Sequence, residues 1–329
     1  MPLSRIALLV SVALSTPGCK KSTDANSPFR LGFFPNITHA QALVGTTDGT
    51  FERALSGKKL EVKKFNAGPS AMEALLAGEI DATYVGPSPA INAYLKSKGA
   101  LRVIAGACAG GAEFIVRGVK GAAALKGKRV ASPQLGNTQD IALRHWLKSQ
   151  GLNTDAAGGD VKITALANPD ILNVFRQGEI EGAWVPEPWG ARLIAEAGGT
   201  ILVDERTLWE GGRFPTTLLV ASRKALTERR EDLKAILKAH LELTQRAREN
   251  PAFGALANDA FGQITTRKLP DAVLVDALSR VEFLSDPMEK QLVLNAQHAA
   301  QLGFLGSPDV SGLVDASLLA ELEGASARP

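Results

Sequence analysis

The feature that most constrains this chain is a segment that occurs twice. Ala67-Gly-Pro-Ser, completed by Gly78-Glu-Ile-Asp-Ala-Thr-Tyr-Val-Gly-Pro-Ser-Pro89, returns 100 residues later as Ala167-Asn-Pro-Asp and Gly178-Glu-Ile-Glu-Gly-Ala-Trp-Val-Pro-Glu-Pro-Trp189. Six of the 23 aligned positions are identical. Each copy has the pattern of a helix opened by proline and stopped by glycine, then a short strand and a proline-rich turn. Proline suits the first turn, where its missing N–H is no loss, and glycine suits the position past the last turn. Recurrence at fixed spacing marks a repeated architecture. In open α/β sheets ligands bind outside the carboxyl ends of the strands, so two such units facing each other make a cleft.

The remaining pattern agrees. Strands are predicted at 29–35, 60–65, 82–85 and 102–105, then within 126–132 and at 161–166 and 183–185. Helices are predicted at 39–55, 70–77, 89–96 and 138–149, the first softened by Gly45 and Gly49. Alternation of short strands with helices argues for βαβ units and mainly parallel sheets. The expected fold is α/β with two lobes, each a mainly parallel sheet flanked by helices. The first lobe is discontinuous, 29–117 and 218–329; the second is 118–217. The return runs through a long strand near 214–222, and the last third, 226–322, is mostly helical.

The N-terminus sets the compartment. Arg5 precedes the apolar run Ile6 to Leu14, which has the length of a secretion signal and is too short to span a bilayer. Ser15-Thr-Pro-Gly-Cys19 and a polar stretch to Pro28 follow. A small residue before a cysteine at such a place resembles a bacterial lipoprotein signal, which implies lipidation of Cys19, residues 1–18 as signal peptide and 19–28 as linker. Thr16 and Pro17 depart from the usual pattern. The implied location is outside the cytoplasm, periplasmic or at the cell surface, with the membrane reached only through the lipid. Of the two cysteines, Cys108 is then left without a partner, and its small-residue surroundings suit a buried structural thiol. The net charge of +3 and the lack of a basic run with interleaved aromatics argue against nucleic acid. No HExxH or CxxC pattern occurs, so neither a metal nor a cofactor is expected.

Together, Leu31-Gly-Phe-Phe-Pro-Asn-Ile-Thr-His-Ala40, the stretch 78–89, Leu125-Lys-Gly-Lys-Arg-Val-Ala131 with Gly136-Asn-Thr-Gln139, and Gly182-Ala-Trp-Val-Pro-Glu-Pro-Trp-Gly190 resemble the periplasmic binding proteins of the nitrate/sulfonate/taurine importer group. The resemblance covers residues 29–222. It implies a two-lobed hinge-bending fold of type II, a ligand cleft between lobes, no catalysis, a monomer, and delivery of a small organic oxyanion to the permease and ATPase of an ABC importer. An aliphatic sulfonate or a taurine-like zwitterion is the expected ligand; nitrate, bicarbonate and phosphonate remain alternatives.

Capture without catalysis needs hydrogen-bond donors and helix N-termini, whose dipoles and free N–H groups favour anions. Asn36, Thr38 and His39 form the first candidate loop, with Thr38 alternatively a helix cap. Gly86 and Ser88 form the second, where glycine allows close backbone approach and simple turn chemistry is the competing explanation. Asn137, Thr138 and Gln139 form the third; the GxxxxGK[ST] spacing of a nucleotide loop is absent. Trp189 is expected to wall an apolar tail. Glu187 either caps the following helix or accepts from a ligand ammonium, and Thr216 adds a hydroxyl where the chain recrosses. The competing class is an enzyme on the same fold, of vitamin-precursor or dehydratase type. It would need a positioned base, and His39, His145, His240 and His298 are scattered, with only His39 in a candidate loop. A signalling sensor would differ only in partner.

Overall fold

The computed structural model of the protein describes residues 27–154 and 158–326. The secretion signal and Cys19 lie outside the described residues. The strands are β1 (Phe29–Phe33), β2 (Leu60–Lys64), β3 (Ala82–Val85), β4 (Leu101–Gly110), β5 (Ala112–Val116), β6 (Arg129–Ser132), β7 (Lys162–Ala165), β8 (Gly182–Pro186), β9 (Thr200–Asp204), β10 (Pro215–Ser222) and β11 (Val281–Phe283). They form two sheets, ordered β11-β4-β10-β3-β1-β2 and β7-β6-β8-β5-β9. Helices cover both, and central β3 is buried at every position, as a strand packed on both faces must be. Edge strand β2 carries Glu61, Lys63 and Lys64 exposed, charges that discourage pairing with another chain.

The sheets are more mixed than the sequence pattern predicts. β1 runs parallel to β2 and β3, and β6 parallel to β7 and β8. β10 is antiparallel to both its neighbours, and so is β5. The reason is topological. A βα strand ends at the cleft, whereas a strand arriving from the other lobe begins there and must run the opposite way. Because β5 already pairs in the second sheet, the first crossing lies at Gly110–Gly111, not near Gly118 as expected. Both glycines have positive φ, +70° and +68°, and a β-carbon would fall 2.5 Å from Arg280 O or from Val281 Cγ1 respectively. The return crossing runs beside it, with Gly110 N–H donating to Phe214 O at 3.0 Å.

The expected long helix over 39–55 is two helices, Ala40–Thr47 and Thr50–Ala54, separated at Gly49, whose φ is +77°. The Thr138–Ser149 helix matches its predicted span. In the second lobe Phe114 stacks on Trp184, ring centroids 5.5 Å apart. Cys108 is buried in the first-lobe core, and burial pushes its thiol pKa well up. The C-terminal helices complete the first lobe and reach the second. His298 of the Glu289–Gln301 helix stacks on His145 at 3.7 Å, and Lys148 Nζ donates to Gln301 O at 2.8 Å. No helix among the described residues is long and apolar enough to cross a membrane.

Candidate functional site

Between the two sheets' carboxyl ends lies a narrow cavity, partly open to solvent and lined among others by Asn36, Thr38, His39, Gly86, Asn137, Thr138, Gln139 and Thr216. Eight of the eleven candidate ligand residues thus share one space. The helices beginning at Gly68, Pro87, Thr138 and Asn168 all start at its wall. In three of the four no side chain caps the first turn. Their free N–H groups and positive dipole ends therefore converge from both lobes.

Phe34, whose ring suits an apolar tail, is also on the wall, and the sequence reading missed Asn66, Ala67, Gly68, Pro89, Pro133, Asn168 and Pro186. The signal for several was in the repeat. Gly68 and Asn168 are equivalent positions, as are Gly86 and Pro186, and all four line the cavity. Duplication placed both copies of one helix start at the same gap.

The wall contains polar atoms that the protein leaves unsatisfied. Thr38 Oγ1, Thr138 Oγ1 and Asn168 Oδ1 are buried without a hydrogen-bond partner. Buried polar groups are ordinarily paired, and an orphan costs about 1–3 kcal/mol. Other groups are half-engaged. Asn137 Oδ1 caps its helix, accepting from Asp140 N–H at 2.7 Å, while its Nδ2 lies 3.4 Å from Gln139 Oε1. Trp189 Nε1–H donates to Asn36 Oδ1 at 2.9 Å, joining the lobes. His39 Nδ1 accepts from Phe34 N–H at 3.4 Å, and complete burial lowers the ring's pKa to about 3, so it is neutral at physiological pH. The wall has no Lys, Arg, Asp or Glu among the described residues.

Three expected ligand residues stand elsewhere. Ser88 is off the wall, its hydroxyl donating to Asn295 Oδ1 at 2.6 Å. Glu187 is fully buried, paired with Arg280, and its Oε2 accepts from Ala191 N–H at 3.1 Å. Of the two roles expected for it, the structure has helix capping, and no carboxylate reaches the cavity. Trp189 is not on the cavity wall. Its ring lies under the Arg192 guanidinium, 4.9 Å away, beside a separate crevice containing Pro35, Pro169 and Phe261. Thr216 lines the cavity, but its hydroxyl donates to Gly110 O.

A buried carboxyl pair supports the crossing. Glu113 has its pKa pushed well up by burial and then by the neighbouring Glu187. Glu187 is raised by burial, against the pull of Arg280. Arg280 also binds Asp276 at 2.6 Å. The remaining histidines sit apart from the cavity. His240 is in the core, with its Nε2 2.8 Å from Gly106 O and its Nδ1 2.9 Å from Tyr84 O–H.

The comparisons with known proteins agree with this fold. The profile of the NMT1-like family matches residues 23–259. The taurine-binding periplasmic protein of Escherichia coli K12 is 29% identical over 217 residues, 64% of each chain, so the match spans just under two thirds of that relative. The alkanesulfonate-binding protein SsuA from Xanthomonas axonopodis pv. citri, solved bound to MOPS, superposes with a TM-score of 0.73 at 20% identity, covering 88% of this chain and 98% of that one. The periplasmic nitrate-binding protein NrtA from Synechocystis PCC 6803 gives a TM-score of 0.78 at 16% identity, covering 92% and 90%. These two structures share the two-lobed fold.

Proposed function

The chain belongs to the NMT1-like family, and from that premise we propose that it is the substrate-binding component of an ABC importer, holding a small organic oxyanion such as an aliphatic sulfonate between its lobes. The observation that carries the reading is the convergence of buried, partnerless side-chain atoms from both lobes, Thr38 Oγ1, Thr138 Oγ1 and Asn168 Oδ1, on one cavity ringed by helix starts. A ligand with several acceptor oxygens satisfies the two hydroxyls and the free N–H groups at once.

Each hydrogen bond to a charged group contributes about 1.5–3 kcal/mol. Four to six of them, less desolvation and ordering costs, leave about −8 kcal/mol, a micromolar dissociation constant. Neutral donors suit a cargo that must later be let go, because no buried ion pair has to be broken. Contacts from both lobes bias a hinge toward closure, and the closed shape is the signal a permease reads. The relatives' names support the class: taurine for one, alkanesulfonate for another. Export and an anchor at Cys19 complete the proposal. Radiolabelled palmitate incorporated by the wild type and absent from Cys19→Ser tests the anchor.

The central test is a thermal-shift and calorimetric panel of ethanesulfonate, taurine and nitrate. A ligand that binds only the native state raises Tm by mass action. Stabilisation by ethanesulfonate, with the ligand recovered unchanged, is the expected result. A panel with no shift, or one in which the ligand is consumed, overturns the proposal.

A further inference from the structure

Three cavity groups share one device. Asn36, Asn137 and His39 are each able in principle to donate or accept. In each the accepting atom is occupied by a group that can only donate: Trp189 Nε1–H on Asn36 Oδ1, Asp140 N–H on Asn137 Oδ1, and Phe34 N–H on His39 Nδ1. An indole or backbone N–H has no acceptor function. The amides are therefore oriented with Nδ2 as their donor, that of Asn137 already 3.4 Å from Gln139 Oε1, and the neutral imidazole holds its proton on Nε2.

We infer that this outer layer of obligate donors makes the cavity selective for an oxyanion that carries no proton, and that Trp189 is a positioning residue which fixes Asn36 as a donor from across the cleft. The inference rests on the binding reading above and specifies its ligand. A sulfonate at neutral pH offers three acceptor oxygens and no O–H. An alkylphosphonate of the same shape carries either a P–OH or a second negative charge. The P–OH sets donor against donor, leaving buried hydrogens unmatched. The dianion adds charge where the described wall has no cation to meet it. A P–OH would have to find Asn168 Oδ1, or turn the Thr38 or Thr138 hydroxyl from donor to acceptor and so take a donor away from the other oxygens. Sites that leave buried polar groups mismatched reject near-isosteres strongly.

The test compares ethanesulfonate with ethylphosphonate by calorimetry at pH 7.5, on the wild type and on Trp189→Phe. The wild type is expected to prefer ethanesulfonate by about 100-fold or more. In Trp189→Phe the Asn36 amide is free to turn, so ethanesulfonate weakens by about tenfold while ethylphosphonate weakens less, and the ratio narrows. A purely structural tryptophan would weaken both equally. Should Trp189→Phe fold poorly, Asn36→Asp keeps the indole contact and replaces the donor by an acceptor, and the same narrowing is expected. A wild-type ratio within threefold, or an unchanged ratio in both variants, overturns the selectivity while leaving the binding function standing. Failure of ethanesulfonate, taurine and nitrate alike to bind the wild type overturns the function itself.

Discussion

A β-carbon placed on Gly86 would fall 2.3 Å from Thr138 Oγ1, so a glycine of the first lobe touches a threonine of the second across the cavity. The backbone there is ordinary, with φ at −73°. The glycine is required by the closeness of the lobes and not by conformation. Gly86→Ala is therefore expected to obstruct closure specifically. Overpacking of this kind costs about 1–3 kcal/mol, a loss of about 5- to 150-fold in affinity, with little change in the ligand-free Tm. Wild-type affinity in Gly86→Ala would show that the lobes close without this contact.

Thr138 and Ser88 predict opposite outcomes from similar deletions. The Thr138 hydroxyl has no partner within the protein, whereas the Ser88 hydroxyl holds Asn295. Thr138→Val keeps the shape and removes the orphan. It should raise the ligand-free Tm slightly and weaken sulfonate binding by about 1.5–3 kcal/mol. Ser88→Ala should cost about 1–3 kcal/mol of stability, by stranding the Asn295 oxygen, and leave affinity unchanged. Chemical denaturation and calorimetry on the pair check both halves, and a reversed pattern refutes the site.

Arg280 links a C-terminal segment to Glu187 beside the crossing. Removing one partner of a buried ion pair costs about 3–5 kcal/mol because the other charge is stranded. Arg280→Met should lose that much at pH 7.5. Without the pull of Arg280 the burial of Glu187 raises its pKa further, and a raised carboxyl contributes stability at low pH that is lost as pH rises. The deficit should accordingly shrink at pH 5.5. Urea unfolding at the two pH values decides it; an equal deficit at both would mean Glu187 does not titrate.

The histidines set the acid limb. Burial lowers His39 to about 3 and His240 to about 4, and burial with the neighbouring His145 lowers His298 to about 4. The unfolded chain takes up these protons near pH 6.5 while the fold excludes them, so stability falls as pH drops from about 6.5 toward 4. Glu205 opposes this: burial raises it to about 8, and its contribution is lost as pH rises from about 4.5 toward 8. His298→Gln, which breaks the His145 stack between the lobes, should give a shallower decline in Tm between pH 6.5 and 5. An unaltered slope would remove the stack from the account.

Much of the molecule was legible in the order of its residues. The 100-residue repeat and its proline and glycine punctuation are local and chemical, and they gave the two-lobed α/β plan, the 138–149 helix and the three loops that meet at the cavity. Periodicity registers which way a side chain faces along one element, and glycine and proline register where that element stops. Neither registers strand direction within a sheet, so the antiparallel β5 and β10 and the crossing at Gly110–Gly111 were not visible.

Partner choice was likewise hidden. Ser88, Glu187 and Trp189 have the right chemistry for a ligand site at the right turns, yet each is engaged by a residue distant in sequence: Asn295, Arg280 and Asn36. The sequence by itself determined which donors and helix starts exist and that they come in two sets. Only the tertiary structure decided which of those groups the protein satisfies internally and which it leaves open for a guest. A hydrogen bond needs its two atoms within about 3 Å, and that proximity is a property of the assembled lobes.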